Sequence, residues 1–468
     1  MGRKRRNIVH KNVRIEDIGS EGKSIARVDG RVIFVSKALP GDIADLKVIK
    51  NKKNYQEAIP IKFHTYSDMR ITPFCSHFDV CGGCKWQDLP YDEQLKYKAK
   101  QVSDNFERIG KVSVNAAPIV PSVYTQYYRN KLEFTFTNFR WMTEEELELA
   151  PEEKNLNGLG FHIPGRWDKI VDVEHCFLQK EPSNEIRNAI KDYALKNNYS
   201  FFDLRKQEGF LRNLIIRISS CDEVMVVLIM FYEDQEKRKS ILDYIAQKFP
   251  QITSLMYMIN PKANDSIYDL EPELYKGRDY IIENMEDLQF KLGPKSFFQT
   301  NSFQALELYK LIRHFASLQG NEIVYDLYTG TGTIANFIAP EAKKVVGIES
   351  VPEAVMDAKT NAEINNIENT EFVAGDMKDI LDRDFMMHHG YPDVIITDPP
   401  RAGMHKKVVQ NILDAQPERI VYVSCNPATQ SRDVNLLSEK YEVEVIQPVD
   451  MFPHTYHVEN IALLTIRQ

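Results

Sequence analysis

Short β-branched runs alternating with polar residues open the chain, in VRIEDI, RVIFVS, IADLKVIK and EAIPIKF, punctuated by Gly19, Gly22, Gly30 and Pro40-Gly41. Regularly spaced short strands of this kind predict a small β-barrel over residues 1–65. A segment YDEQLKYKAKQVSDNFERIG follows with helical spacing and stops at Gly110, as a helix should. Residues 66–290 mix strand-like runs (KLEFTFTNF, VMVVLIMFY) with helical ones (NEIRNAIKDYALK), which predicts an α+β middle unit. From 291 to 468 the pattern changes again. Apolar strands (IVYDL, KVVGIES, EFVAGD, DVIITD, RIVYVS, YEVEVIQPV) alternate with helices, so the expected class is α/β, a doubly wound, Rossmann-like parallel sheet with right-handed crossovers.

Charge modifies this picture at one end. The 468 residues carry a formal net charge of −8, but residues 1–62 hold 15 Lys and Arg against 7 Asp and Glu. A basic module on an acidic body can meet phosphates through one part of its surface. With 43% hydrophobic and 27% charged residues the chain reads as globular. No apolar run approaches the roughly 18 residues that cross a bilayer, and MGRKRRN leads into no apolar stretch of a secretory signal. A cytoplasmic protein without a membrane partner is expected.

Candidate chemistry concentrates at the ends of the C-terminal strands. In YDLYTGTGT the first strand runs into Gly330-Thr331-Gly332, a turn that lets a ligand approach the backbone. The next strand ends in Glu349, placed to accept ribose hydroxyls; the third ends in Asp376, placed to accept from an adenine amino group; the fourth ends in Asp398. Neither GxGxxG nor GxxxxGK[ST] is present, so a ligand with ribose, adenine and a positive centre fits better than one with phosphates. S-adenosylmethionine meets that description. Cys425, in YVSCNPAT, follows an apolar strand at the same edge, where Asn426-Pro427 end the strand; it is either a core thiol or a nucleophile.

DLYTGTGT, DPPRAG, YVSCNPAT and DMFPHTYHVE, in this order, resemble the RNA uracil-5-methyltransferases across nearly the whole chain. The resemblance implies a TRAM barrel at 1–65, an iron–sulfur central domain at 66–290 and a methyltransferase domain at 291–468. It implies Cys425 as the nucleophile toward uracil C6 and Glu459 as the base that removes the C5 proton. It also places Gln299 and Asp398 against the uracil or the amino-acid end of the cofactor, and Tyr328 against the cofactor. Arg401 would support the base or a phosphate; His454 and His457 read more readily as core histidines. Thr329 stands where many relatives have cysteine.

Cys75, Cys81 and Cys84 are spaced C-x5-C-x2-C, with Cys176 further on. Four thiolates suit a tetrahedral zinc or a 4Fe–4S cluster, and spacing does not decide; the resemblance implies the cluster. Cys221 reads as an ordinary strand residue. The expected partner is RNA, 23S ribosomal RNA first and tRNA second, with an unstacked target uridine, and the expected state is a monomer. A non-catalytic RNA-binding protein with a four-cysteine metal site is the alternative; amino-group methylation of purines would leave Cys425 without a role.

Overall fold

The computed structural model describes residues 8–467; the basic start of the chain lies outside them. Five strands, Val9–Ile18, Ser24–Val28, Arg31–Val35, Ile43–Asn51 and Tyr55–Thr65, close into a barrel around Val13, Ile15, Ala26, Ile33 and Leu46. Alternation explains it: each inward residue on these strands is buried and its neighbours face water.

A seven-stranded, largely antiparallel sheet forms the middle of the molecule, with Lys131–Thr137 and Leu211–Ile218 near its centre. Its run VMVVLIM (Val224–Met230) is buried at every position. The reason is that both faces are covered: helices Ser183–Lys196 and Gln235–Lys248 lie on one, and the C-terminal domain on the other, where Met225, Val227 and Ile229 join its core. Cys221 departs from expectation. The polar run Ser219-Ser220-Cys221-Asp222 makes the turn of a hairpin, and the thiol is exposed.

The C-terminal sheet has the order Thr370–Ala374, Lys344–Glu349, Ile323–Leu327, Val394–Thr397, Arg419–Ser424, Glu459–Ile466, Tyr441–Val449. The first five strands are parallel and the last two antiparallel to their neighbours. It is the doubly wound α/β arrangement, with the chain reversal at one edge. Helix Tyr91–Asn105, which lies within 66–290, packs on this sheet and not on the middle one: Val102 and Phe106 belong to its core. Lys98 and Asp450, both fully buried, pair at 2.6 Å, and Tyr91 donates to the same carboxylate at 2.8 Å. Among the described residues no helix is long and apolar enough to cross a membrane.

Candidate active site

Ser424 pairs with Asn460 across the antiparallel strands, so the next residues outward on that register are Cys425 and Glu459. Opposed side chains on such strands project from one face, with Cβ atoms roughly 5 Å apart. The final strand runs backwards relative to the parallel ones, and its beginning therefore meets their carboxyl ends. Gln430 fixes this junction: its side-chain amide donates to the carbonyls of Tyr422 (2.7 Å) and Asn460 (3.1 Å), and its oxygen accepts from the Asn460 amide at 2.9 Å.

Cys425 is half-buried and Glu459 buried at 4% exposure. Asp398, at the end of the neighbouring parallel strand, faces both. Burial pushes the Cys425 thiol up to about 11, and the charges of Glu459 and Asp398 add to this, while the Arg401 guanidinium opposes it. Burial and the Asp398 charge hold the Glu459 carboxyl well above the usual carboxylate range, again opposed by Arg401. Arg401 belongs to a locked turn: Asn426 and Thr429 donate to its carbonyl at 2.9 and 3.1 Å. A Cβ at Gly403, where φ is +77°, would stand 2.6 Å from both Arg432 and Asp433. DPPRAG and YVSCNPAT are thus two halves of one structure.

The glycine-rich turn lies on the same edge. Tyr328 (φ 66°), Gly330 (φ 55°) and Gly332 (φ 74°) are left-handed, and no atom stands within 4 Å of a Cβ built at Gly330. Under the turn, Asp326 is fully buried; its Oδ2 accepts from Thr329 Oγ1 (2.5 Å) and the Ala335 amide (3.1 Å), and its Oδ1 has no partner. Burial lifts this carboxyl to about 7. An open approach over Gly330 beside an uncompensated buried acid suits a ligand that brings a positive centre. Glu349 is half-buried and accepts from the Gly330 amide at 3.2 Å. Burial raises the hydroxyl of half-buried Tyr328 to about 12, and the charges of Asp376, Asp433 and Glu349 add to this. Asp376 is exposed, caps the helix Met377–Ile380 and pairs with Lys378 at 2.7 Å. The Phe297 carbonyl accepts from Thr331 Oγ1 at 3.2 Å, which brings the segment carrying Gln299, itself 9% exposed, against the turn.

The four cysteines converge elsewhere. Cys75, Cys81, Cys84 and Cys176 line one cavity of about 180 Å3, apolar apart from His77, His175, Gln87 and Arg129, and all are free thiols. Burial raises all four, Cys81 to about 11 and Cys84 to about 12, and they lie close enough to raise one another. Among the described residues no group of three or more His, Cys, Asp or Glu side chains is set to hold a metal ion.

Residues 273–467 match the family model described as tRNA (uracil-5-)-methyltransferase, and residues 10–61 that of the TRAM domain. An RNA methyltransferase of Bacteroides thetaiotaomicron is 58% identical over 454 residues, 96% of this chain and 100% of the relative. The chain belongs to the RNA uracil-5-methyltransferase family. One of Chlorobaculum tepidum is 37% identical over 93% of this chain and 91% of its own. Among solved structures, the Pyrococcus abyssi tRNA (uracil-54, C5)-methyltransferase in complex with S-adenosyl-L-homocysteine superposes with a TM-score of 0.77 at 28% identity, covering 97% of this chain and 100% of that one.

As an RNA uracil-5-methyltransferase the protein is an S-adenosylmethionine-dependent enzyme with a TRAM barrel and a Rossmann-like catalytic domain. Sequence reasoning placed residues at strand ends but missed those that hold them. Asp326 was legible in principle, as an acid inside the apolar strand IVYDL. Gln430 and Asn460 gave no signal, since their partners come from a pairing 30 residues away. Thr329 proves to be a hydrogen-bond donor to Asp326, a part cysteine would fill more weakly.

Proposed function

We propose that this enzyme methylates C5 of a uridine in RNA through a transient covalent bond between Cys425 and uracil C6. S-adenosylmethionine, when bound over the glycine-rich turn, supplies the electrophilic methyl group that C5 takes up. The Cys425 thiolate adds to C6 and makes C5 a nucleophilic carbon; the Glu459 carboxylate then accepts the C5 proton, and the C6–S bond breaks with its electron pair returning to sulfur. The Arg401 cation eases ionisation of the thiol, and Asp398 and Gln299 hold the uracil edge or the amino-acid end of the donor. Tyr328, Glu349 and Asp376 hold its adenosine. The single observation that carries this reading is that a half-open thiol and a buried carboxyl directly continue the Ser424–Asn460 strand pairing, close enough for the Glu459 charge to act on the thiol.

The thiol needs access to C6, so the target uridine must be unstacked. We take 23S ribosomal RNA as the first substrate reading, from the TRAM barrel joined to a four-cysteine domain. A tRNA uridine is the second, and the Pyrococcus abyssi tRNA enzyme favours it, since that enzyme shares the arrangement along its full length. We take the enzyme to act on its RNA as a monomer in the cytoplasm. Mass-spectrometric mapping of 5-methyluridine in ribosomal and transfer RNA, from cells with and without the gene, tests the substrate. Modified base formed by Cys425→Ala overturns the nucleophile.

We infer that Cys75, Cys81, Cys84 and Cys176 hold a 4Fe–4S cluster. They surround one shared, largely apolar cavity, and the family resemblance carries the cluster onto these four positions, with a structural zinc as the alternative. Held by all four cysteines, such a cluster would offer no open iron to a substrate and would serve to shape the central domain. Anaerobically purified protein that is colourless and carries stoichiometric zinc would overturn this and leave the methylation reading intact.

A further inference from the structure

The loop that delivers Glu459 is held from outside its own domain. His454 adopts a left-handed conformation, φ 63°, and its carbonyl accepts from the backbone amides of Lys85 (2.7 Å) and Trp86 (3.1 Å), the two residues directly after Cys84. Its own amide donates to Gln94 Oε1 at 2.8 Å, while the Gln94 amide donates to the carbonyls of Trp86 and Leu89, each at 2.8 Å. The His454 ring meets the edge of Phe74, next to Cys75, at 5.0 Å between centroids. Two residues on, Tyr456 packs with Trp86 and Leu89 and with Ile18 and Leu39 of the barrel. A Cβ at Gly22 of the barrel would strike Tyr456 at 2.8 Å. Only Thr455 to Val458 separate this clamp from Glu459, and Val458 is itself buried at 1% exposure.

We propose that the left-handed turn at His454, clamped to the segment that follows Cys84, is a second positioning element for Glu459 beside its strand pairing, so that the cysteine-bearing module helps to set the place of the catalytic carboxyl in another domain. Two observations support it. The turn is pinned through the Lys85 and Trp86 amides and the Gln94 side chain, and the four residues from Thr455 to Val458, the last of them buried, leave Glu459 little freedom once the turn is fixed. Misplacement of a reacting group by about 1 Å costs on the order of 100-fold in rate. His454 and Gln94 touch no reacting atom, and they act through Glu459.

This proposal rests on the covalent reading above, and the test separates the two. Full-length enzyme, purified with its metal content intact, is given RNA containing the mapped uridine. In His454→Ala, which loses the ring and disfavours the left-handed turn, kcat falls roughly 10- to 100-fold, KM for RNA stays within about twofold, and an adduct stable to denaturing gel electrophoresis accumulates, because the C6–S bond persists while the C5 proton stays. His454→Gly, which lacks the ring but favours the turn, recovers most of the turnover. Gln94→Leu gives the same split as His454→Ala and faster hydrogen exchange in peptide 452–459, and it stands in should His454→Ala fail to fold. Wild-type turnover in both variants, equal impairment in the alanine and glycine variants, or parallel loss of product and adduct in a protein with unchanged circular dichroism would overturn the proposal. Absence of any adduct between wild-type enzyme and 5-fluorouridine RNA would instead overturn the covalent reading.

Discussion

Burial displaces the titration of Cys425, Glu459 and Asp326, and the displacements have consequences. On the covalent reading the base must be deprotonated to take the C5 proton, and burial and Asp398 raise the Glu459 carboxyl; the Cys425 thiol is raised likewise. Both effects run the same way, so turnover rises from pH 6 to pH 9, and a flat or falling single-turnover profile would contradict the assignment. If Cys425 is the nucleophile and Glu459 the base, Glu459→Gln keeps the first and removes the second, so it accumulates covalent RNA adduct on ordinary uridine, visible on a denaturing gel. Asp326 offers a stability test. Its folded-state value of about 7 lies above the ordinary carboxylate value, so the folded protein binds this proton more tightly, and stability is lost as pH climbs from about 4 toward 7. Asp326→Asn still offers an oxygen to Thr329 and Ala335, and the difference between its urea midpoints at pH 5 and pH 8 shrinks relative to wild type.

At the scale of elements, the helix Tyr91–Asn105 is joined to the catalytic sheet by a buried ion pair, and breaking one side of such a pair leaves the other charge uncompensated. Lys98→Met destabilises the protein by roughly 3–5 kcal/mol in denaturant unfolding, and a loss below 1 kcal/mol would mean that Tyr91 and the Phe452 amide satisfy Asp450 without the lysine. This attachment was hidden in the sequence. Lys98 reads as one more cation on an amphipathic helix, and its partner lies 352 residues away. The strands and the glycine-rich turn were legible because period-two and strand–helix alternation are local. Cys425 was legible for the same reason, as the residue after an apolar strand and before a helix-opening Asn-Pro. Its relation to Glu459 was not: the resemblance supplied it, and the physical cause is the reversed final strand, which no local pattern announces.

On the scale of the whole molecule, the barrel presents exposed Lys47, Lys52, Lys53 and Lys62 on the part of the chain with the positive balance. If it grips the RNA backbone, replacing Lys52 and Lys53 by alanine lowers the slope of log affinity against log salt by roughly 0.7 for each phosphate that is no longer neutralised. Catalysis at saturating RNA is unchanged, and an unaltered slope would assign the grip to another surface. Tyr456, wedged between Gly22 of the barrel and Trp86 of the cysteine-bearing segment, ties the three parts of the chain at one point. Chimeras that exchange the barrel alone between relatives will therefore be poor enzymes even when each piece folds, and recombination within this lineage is constrained to carry the first ninety residues and the last twenty together.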